Sequence, residues 1–286
     1  MPRVYLVPAS VYTFTVELVP LERFIVTAWS GSFAVRVLYD VLKRRGIEFG
    51  KKERKPFTAE PLLVDGEYLL SGFYVNLKGE PHPQLGWRTV EAGQRLTFRY
   101  HFLDEALSRT FLEALASEPV LDEPATRLEL VEISFEQVEI PKPSPPPSRV
   151  VVERLVFNAP TCVQFYGYDV LYPSPVRIML SALKKYAALS GVDTKTAAER
   201  VHKSVEIAGT PRVKRVYVDI GEGRIVPAFM GEATLVMRGS EDLPLLLAAL
   251  KLAERLGVGV STSIGFGRFK VAGPPAAPQP AEPRGT

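Results

Sequence analysis

The stretch 257-GVGVSTSIGFGRF-269 sets four glycines, Gly257, Gly259, Gly265 and Gly267, between an apolar helix-like run and a short closing strand. Glycine reaches backbone angles that other residues avoid and lets another segment approach the main chain closely. Ser261, Thr262 and Ser263 add hydroxyls between the glycine pairs, and Arg268 adds a guanidinium. Two readings are open: a tight helix-to-strand crossover, or a cradle of N–H groups and hydroxyls for phosphate. The order helix, glycines, strand excludes a dinucleotide fingerprint, which opens a helix after a strand. No G-K-[ST] follows, so a Walker A loop is excluded as well.

Outward from this stretch, LPLLLAALKLAERL reads as a helix starting near Glu241 or Asp242, and residues 266–271 as the last strand. Residues 150–157, 201–207, 213–220 and 224–238 read as strands, and 175–189 as a helix with proline in its first turn. Upstream, PKPSPPP (141–147) can hold neither an interior helix nor a central strand. The first half has the same rhythm. VYTFTVEL alternates as a strand, and Phe33, Val37, Leu38, Val41 and Leu42 make a helical stripe ending at Gly46. Residues 94–100 are a strand, Asp104 caps a helix to Leu115, and 127–140 alternates as a long strand. Two β-α-β-β-α-β halves predict an α+β chain of tandem ferredoxin-like domains. The expected boundaries are 1–140, a Pro-rich linker 141–149, a second domain 150–272, and a disordered Pro/Ala tail 273–286.

Net charge is only +3 over 286 residues, yet eight basic residues crowd 36–55 and five crowd 200–215. Brought together by the fold, they would make a patch for a polyanion. A single cysteine, Cys162, permits no internal disulfide, and nothing in the sequence resembles a zinc-ligand cluster; neither metal nor cofactor is expected. No long apolar run and no signal-peptide pattern is present, so the expected location is cytoplasmic, without a membrane partner.

Four stretches together resemble the CRISPR repeat-processing endoribonucleases of the RAMP superfamily. The first is the G-x-G…G-[FY]-G signature at 257–267. The second is KPFTAEPL (55–62), which matches K-x-F-[ST]-x-x-x-L. The third is FNAPTCVQF (157–165) with YPSPVRIMLSAL (172–183), and the fourth is PAFMGEATLV (227–236). The resemblance implies a RAMP-type fold and a cleft for CRISPR repeat RNA, in a monomer or homodimer that can serve a CRISPR effector complex. It also implies metal-independent cleavage, with 2′-OH attack leaving 2′,3′-cyclic phosphate and 5′-OH ends. The histidine that many relatives carry six residues before the lysine is Phe49 here. The alternative is a non-catalytic RAMP-type subunit that only holds RNA.

The implied catalytic candidates are Lys55, at the conserved lysine position, with Lys51 and Lys52 beside it. Tyr39 is a hydroxyl or a packing residue, and His202 a proton carrier or an RNA contact. Candidate RNA contacts are Arg44, Arg45, Arg54, Lys203, Arg212, Lys214 and Arg215, the four glycines, residues 261–263, and Arg268. His82 reads as a loop residue and His101 as structural. Cys162 reads as a small buried hydrophobe, and Trp29 and Trp87 as core or rim.

Overall fold

The computed structural model describes residues 10–50, 53, 55–76, 78, 80–146, 148–239 and 241–273. Lys51, Lys52 and Arg54, and all of the expected tail except Gly273, lie outside them. The first half runs β1 (Ser10–Pro20), β2 (Phe24–Val26), α1 (Ser30–Lys43), β3 (Phe57–Ala59), β4 (Leu63–Val64), β5 (Glu67–Tyr68), β6 (Phe73–Tyr74), β7 (Arg88–Val90), β8 (Leu96–Phe102), α2 (Glu105–Ser117), β9 (Val120–Glu123) and β10 (Thr126–Glu139). The second runs β11 (Val150–Thr161), β12 (Val163–Phe165), β13 (Tyr168–Val170), α3 (Pro175–Ser190), α4 (Lys195–Ser204), β14 (Val205–Asp219), β15 (Ile225–Arg238), α5 (Leu243–Leu256), a 3-10 turn (Thr262–Ile264) and β16 (Phe269–Val271).

Alternation along β1 sends Phe14, Val16 and Leu18 into the first core, where the α1 stripe Phe33, Val37, Leu38, Val41 and Leu42 meets them. The Asp104 carboxylate accepts from the Leu107 N–H at 2.7 Å and caps α2. The principal sheets are antiparallel: one in the order β5-β4-β8-β1-β10-β9, with β3 also on β8, the other β16-β11-β15-β14-β6. The result is a mixed α+β fold.

Two expectations change. Residues 201–204 are helical, because Ala197 and Val201 lie one turn apart and bury against the second core. The two strands expected at 201–207 and 213–220 are one strand, β14, with its register shifted between Ala208 and Arg212. Among the described residues, no helix is long and apolar enough to cross a membrane.

Three of the places where the halves meet stand out. β6, from the first half, pairs with β14 as the edge of the second sheet. Trp29 is fully buried in a core drawn from both halves, edge-on to Phe73 at 6.0 Å and to Phe266 at 5.7 Å. Burying such a ring contributes on the order of 5 kcal/mol from transfer alone. The third place is a buried polar chain. Arg255 Nη1 donates to Thr13 Oγ1 at 3.1 Å, and Thr13 Oγ1 lies 2.9 Å from His101 Nδ1. His101 Nε2 is 3.2 Å from Glu60 Oε1, and the phenol of Tyr68 donates to Glu60 Oε2 at 2.9 Å.

These partners assign His101 the neutral Nε2–H tautomer. Burial, helped by Arg268, pushes its pKa down to about 4 despite Glu60. Burial alone would raise the Glu60 carboxyl, but the His101 hydrogen bond and the Arg268 charge outweigh it and hold the group well below the usual carboxylate range. Both shifts favour the folded state at neutral pH. Between the ordinary histidine value and pH 4 the unfolded chain binds the extra proton, so stability falls as pH falls. Urea unfolding from pH 6.5 to 5 should show a loss on the order of 1 to 2 kcal/mol from His101. His101→Gln, which keeps a donor toward Glu60, should flatten that slope; an unchanged slope would refute this assignment.

Candidate nucleic-acid interface

A cleft of about 430 Å³ opens where the halves meet, lined by Lys55 and Thr58 from the first and by Lys185, Arg224 and residues 261–263 from the second. Glu53 is its one carboxylate among the described residues. The early lysine and the late hydroxyls therefore share one surface.

Lys55 Nζ donates to the Gly50 carbonyl at 2.6 Å and sits 5.3 Å from the Phe49 ring centre and 5.8 Å from that of Tyr39. The ring faces orient the ammonium. Phe49 and Tyr39 also pack on Phe57, and burial raises the Tyr39 phenol pKa. A phenol held neutral there is a packing group and a poor base.

The glycine stretch is chiefly architecture. All four glycines have positive φ. A Cβ on Gly267 would lie 1.8 Å from the Val258 carbonyl oxygen, so the loop closes on itself only without a side chain. One on Gly265 would lie 2.8 Å from the Pro61 nitrogen, where the loop meets the first half. The N–H groups of Gly257, Val258, Gly259, Val260, Ile264, Gly265, Phe266 and Gly267 all find acceptors within the protein. Those of residues 261–263 have none among the described residues, and their hydroxyls line the cleft. The phosphate-cradle reading thus moves from the glycines to the Ser-Thr-Ser between them.

Arg268 is a correction. It is 2% exposed, with Nη2 donating to the Ala59 carbonyl at 2.7 Å and to Thr58 Oγ1 at 3.1 Å, and Nη1 donating to the Arg255 carbonyl. It ties the residue before β16 to β3 and to α5, and its guanidinium is buried rather than offered to the surface. Arg44 pairs with Glu118, while Arg45 donates to the Glu113 carbonyl at 3.1 Å and Ser117 Oγ at 2.7 Å, so both tie α1 to α2. His202 and Lys203 sit exposed on the last turn of α4 and do not line the cleft. Arg212, Lys214 and Arg215 are exposed on β14, Arg212 lying 3.5 Å from Glu232. Cys162 is buried, its thiol pushed up to about 12 by burial and by Asp169. Trp87 is exposed, and His82 caps its own loop by accepting at Nδ1 from the Gln84 and Leu85 N–H groups.

Two cations of the cleft escape a reading of the sequence. Lys185 Nζ donates to the Leu256 and Gly257 carbonyls and to Thr262 Oγ1 at 3.0, 2.7 and 3.0 Å, fixing the loop to α3. Arg224 comes from the turn between β14 and β15. Neither belongs to a motif; only the tertiary fold brings them to the loop. Another cavity, about 510 Å³, is lined by Glu60, Glu136, Glu139 and Glu254 against Arg99, Lys251 and Arg255. That carboxylate density makes it a poor seat for phosphate. Among the described residues, no group of three or more His, Cys, Asp or Glu side chains could hold a metal ion.

Residues 155–269 match the family model of the CRISPR-associated endoribonuclease Cas6. Over that segment, about two-fifths of its length, the chain resembles the Cas6 endoribonucleases. In fold it is similar to a Thermus thermophilus Cas6, at 20% identity and TM-score 0.60, over 93% of this chain and 99% of that one. The product complex of the same Cas6 gives 22% identity and TM-score 0.66, over 92% and 99%. A Cas6-related protein from Pyrococcus furiosus gives 13% and 0.55, over 91% and 98%. Comparison with curated proteins gives no match. The Cas6 match begins in β11 and ends in β16, so it includes the whole glycine stretch.

If that stretch is a close-packed crossover, Gly267→Ala should lower stability by more than about 2 kcal/mol in chemical denaturation, through the left-handed backbone and the clash together. Gly46→Ala, at φ +76 with nothing within 4 Å of the added Cβ, should lose only the backbone share, about 1 kcal/mol. Equal losses would contradict the crossover.

Proposed function

We propose that the chain is a Cas6-type endoribonuclease that cuts CRISPR precursor RNA within its repeats, without a metal ion. One observation carries the reading: Lys55 and the Ser-Thr-Ser at 261–263 face a common cleft between the halves. The shared sheet order, β10-β1-β8 with β3 and β4 in one half and β16-β11-β15-β14 in the other, supports two ferredoxin-like units.

In this reading the hydroxyls and N–H groups of 261–263 hold the scissile phosphate, and Lys55 stabilises the charge that develops as the 2′-OH attacks. The 2′-OH proton passes to solvent water and Lys55 donates a proton to the leaving 5′-oxygen, which gives the cyclic phosphate and a 5′-OH end. Lys185 acts as a positioning residue, since its protons go to the loop. Arg224 adds a cation at the open side. The exposed β14 cations Arg212, Lys214 and Arg215 hold RNA backbone away from the cut.

A second reading, an RNA-holding subunit that does not cleave, draws on the cleft lining itself, which contains no histidine among the described residues. Repeat RNA from the array of the same genome, incubated with the protein in EDTA, separates the two. A single cut ending in cyclic phosphate supports the enzyme, and tight binding without a cut supports the subunit. For the enzyme, Lys55→Ala should slow single-turnover cleavage by about 10²- to 10³-fold while weakening binding less than tenfold. A variant cutting at the normal rate would remove Lys55 from the chemistry.

A further inference from the structure

The β12–β13 hairpin plays no part in the cleft, yet its tip is almost entirely aromatic. Phe165, Tyr166 and Tyr168 are 43%, 87% and 78% exposed. The two-residue loop between the strands, Tyr166-Gly167, has φ of +49° and +82°, the signs that a type I′ turn needs. Asparagine or aspartate is the favoured first residue of that turn, and a bulky tyrosine there is strained. An exposed aromatic kept in a strained position points to a use outside the fold.

The surroundings say what the ring faces meet. Gln164↔Asp169 and Phe165↔Tyr168 are successive cross-strand pairs, so they occupy opposite faces of the hairpin. The Asp169 carboxylate accepts from Cys162 Sγ at 3.2 Å and from the Gln164 amide at 3.0 Å, which keeps its charge on the face away from the rings. On the aromatic face, the Arg177 guanidinium lies 3.9 Å above the Phe165 ring.

Arg177 opens a row. On α3, Arg177, Ser181 and Lys185 follow at four-residue spacing and share one side of the helix. Ser181 Oγ accepts from the Gly259 N–H at 2.8 Å, and Lys185 reaches Thr262 at the cleft. The row spans about 12 Å, the reach of a few nucleotides. It leads from the cleft to the hairpin with a cation at each end.

We propose that the β12–β13 hairpin is a stacking platform for unpaired bases of an RNA strand whose backbone follows α3 into the cleft. Every base has a π-face, so such a platform tolerates many sequences, and the guanidinium extends it beyond the ring of Phe165. The proposal rests on the RNA-binding reading above and names where the strand goes on leaving the cleft.

The test is a binding titration in EDTA with the repeat RNA of the same genome and with copies carrying single abasic residues through its unpaired segment. Tyr166→Asn should stabilise the protein by relieving the turn and yet weaken binding of intact RNA. A purely structural tyrosine would not behave so. Tyr168→Ala should weaken binding as well, each loss falling at about 5- to 150-fold, while Tyr168→Phe keeps the affinity. At one or two abasic positions the protein variants should cost nothing further, and the salt dependence of binding should stay as in the parent. Folded variants that bind every RNA like the parent, or losses identical on every abasic RNA, would overturn the platform alone. A parent protein that binds no repeat RNA would overturn the underlying reading and the platform with it.

Discussion

The structure depends on the seating of one loop against the opposite half of the chain. The Trp29 indole N–H donates to the Ile264 carbonyl at 2.6 Å, and Ser32 Oγ donates to the Ile220 carbonyl at 2.8 Å. Arg268 reaches from the loop's end to Thr58 and Ala59 of β3. Each contact joins the start of α1 or the strand after Lys55 to the second half. The positions of Lys55 and of the 261–263 hydroxyls are thus not independent. A change that loosens the seat moves both sides of the cleft at once.

Charge is distributed in keeping with this. The guanidinium deepest in the interface, Arg268, is matched by the Glu60 carboxylate at 4.0 Å and by the carbonyls of Ala59 and Arg255, so it serves cohesion. An uncompensated charge at that depth would be strongly destabilising. The cations at the surface of the cleft, Lys55 and Arg224, face one carboxylate. That excess of positive charge, together with N–H groups lacking internal acceptors, is what distinguishes the cleft from the cavity beside Glu136.

Much of the fold was legible because its signals are local. The stripe of α1, the cap at Asp104, the proline opening α3 and the breaker over 141–146 all act within a few residues, and the structure follows them. The misses are those where distant partners decide. Arg268 beside two glycines reads as a phosphate contact, because Thr58 and Glu60, its true partners, lie at the other end of the sequence. The residues 201–204 alternate enough for a strand, but burial of Ala197 and Val201 holds the turn helical. Lys185 is an ordinary helix lysine until the loop folds over it. The β12–β13 hairpin escaped notice because Tyr-Gly is not the dipeptide that normally announces such a turn.

If the cleft is the site of cleavage, an RNA phosphate lies between Lys55 and the hydroxyls of 261–263. The most direct measurement is a crystal structure of the full chain with repeat RNA carrying a 2′-deoxy substitution at the cut position. The phosphate following that sugar should lie within hydrogen-bond distance of Thr262 or Ser263, with the Lys55 ammonium turned from Gly50 toward it. RNA bound elsewhere, across the Glu136 cavity or wholly on β14, with no phosphate in the cleft, would contradict it.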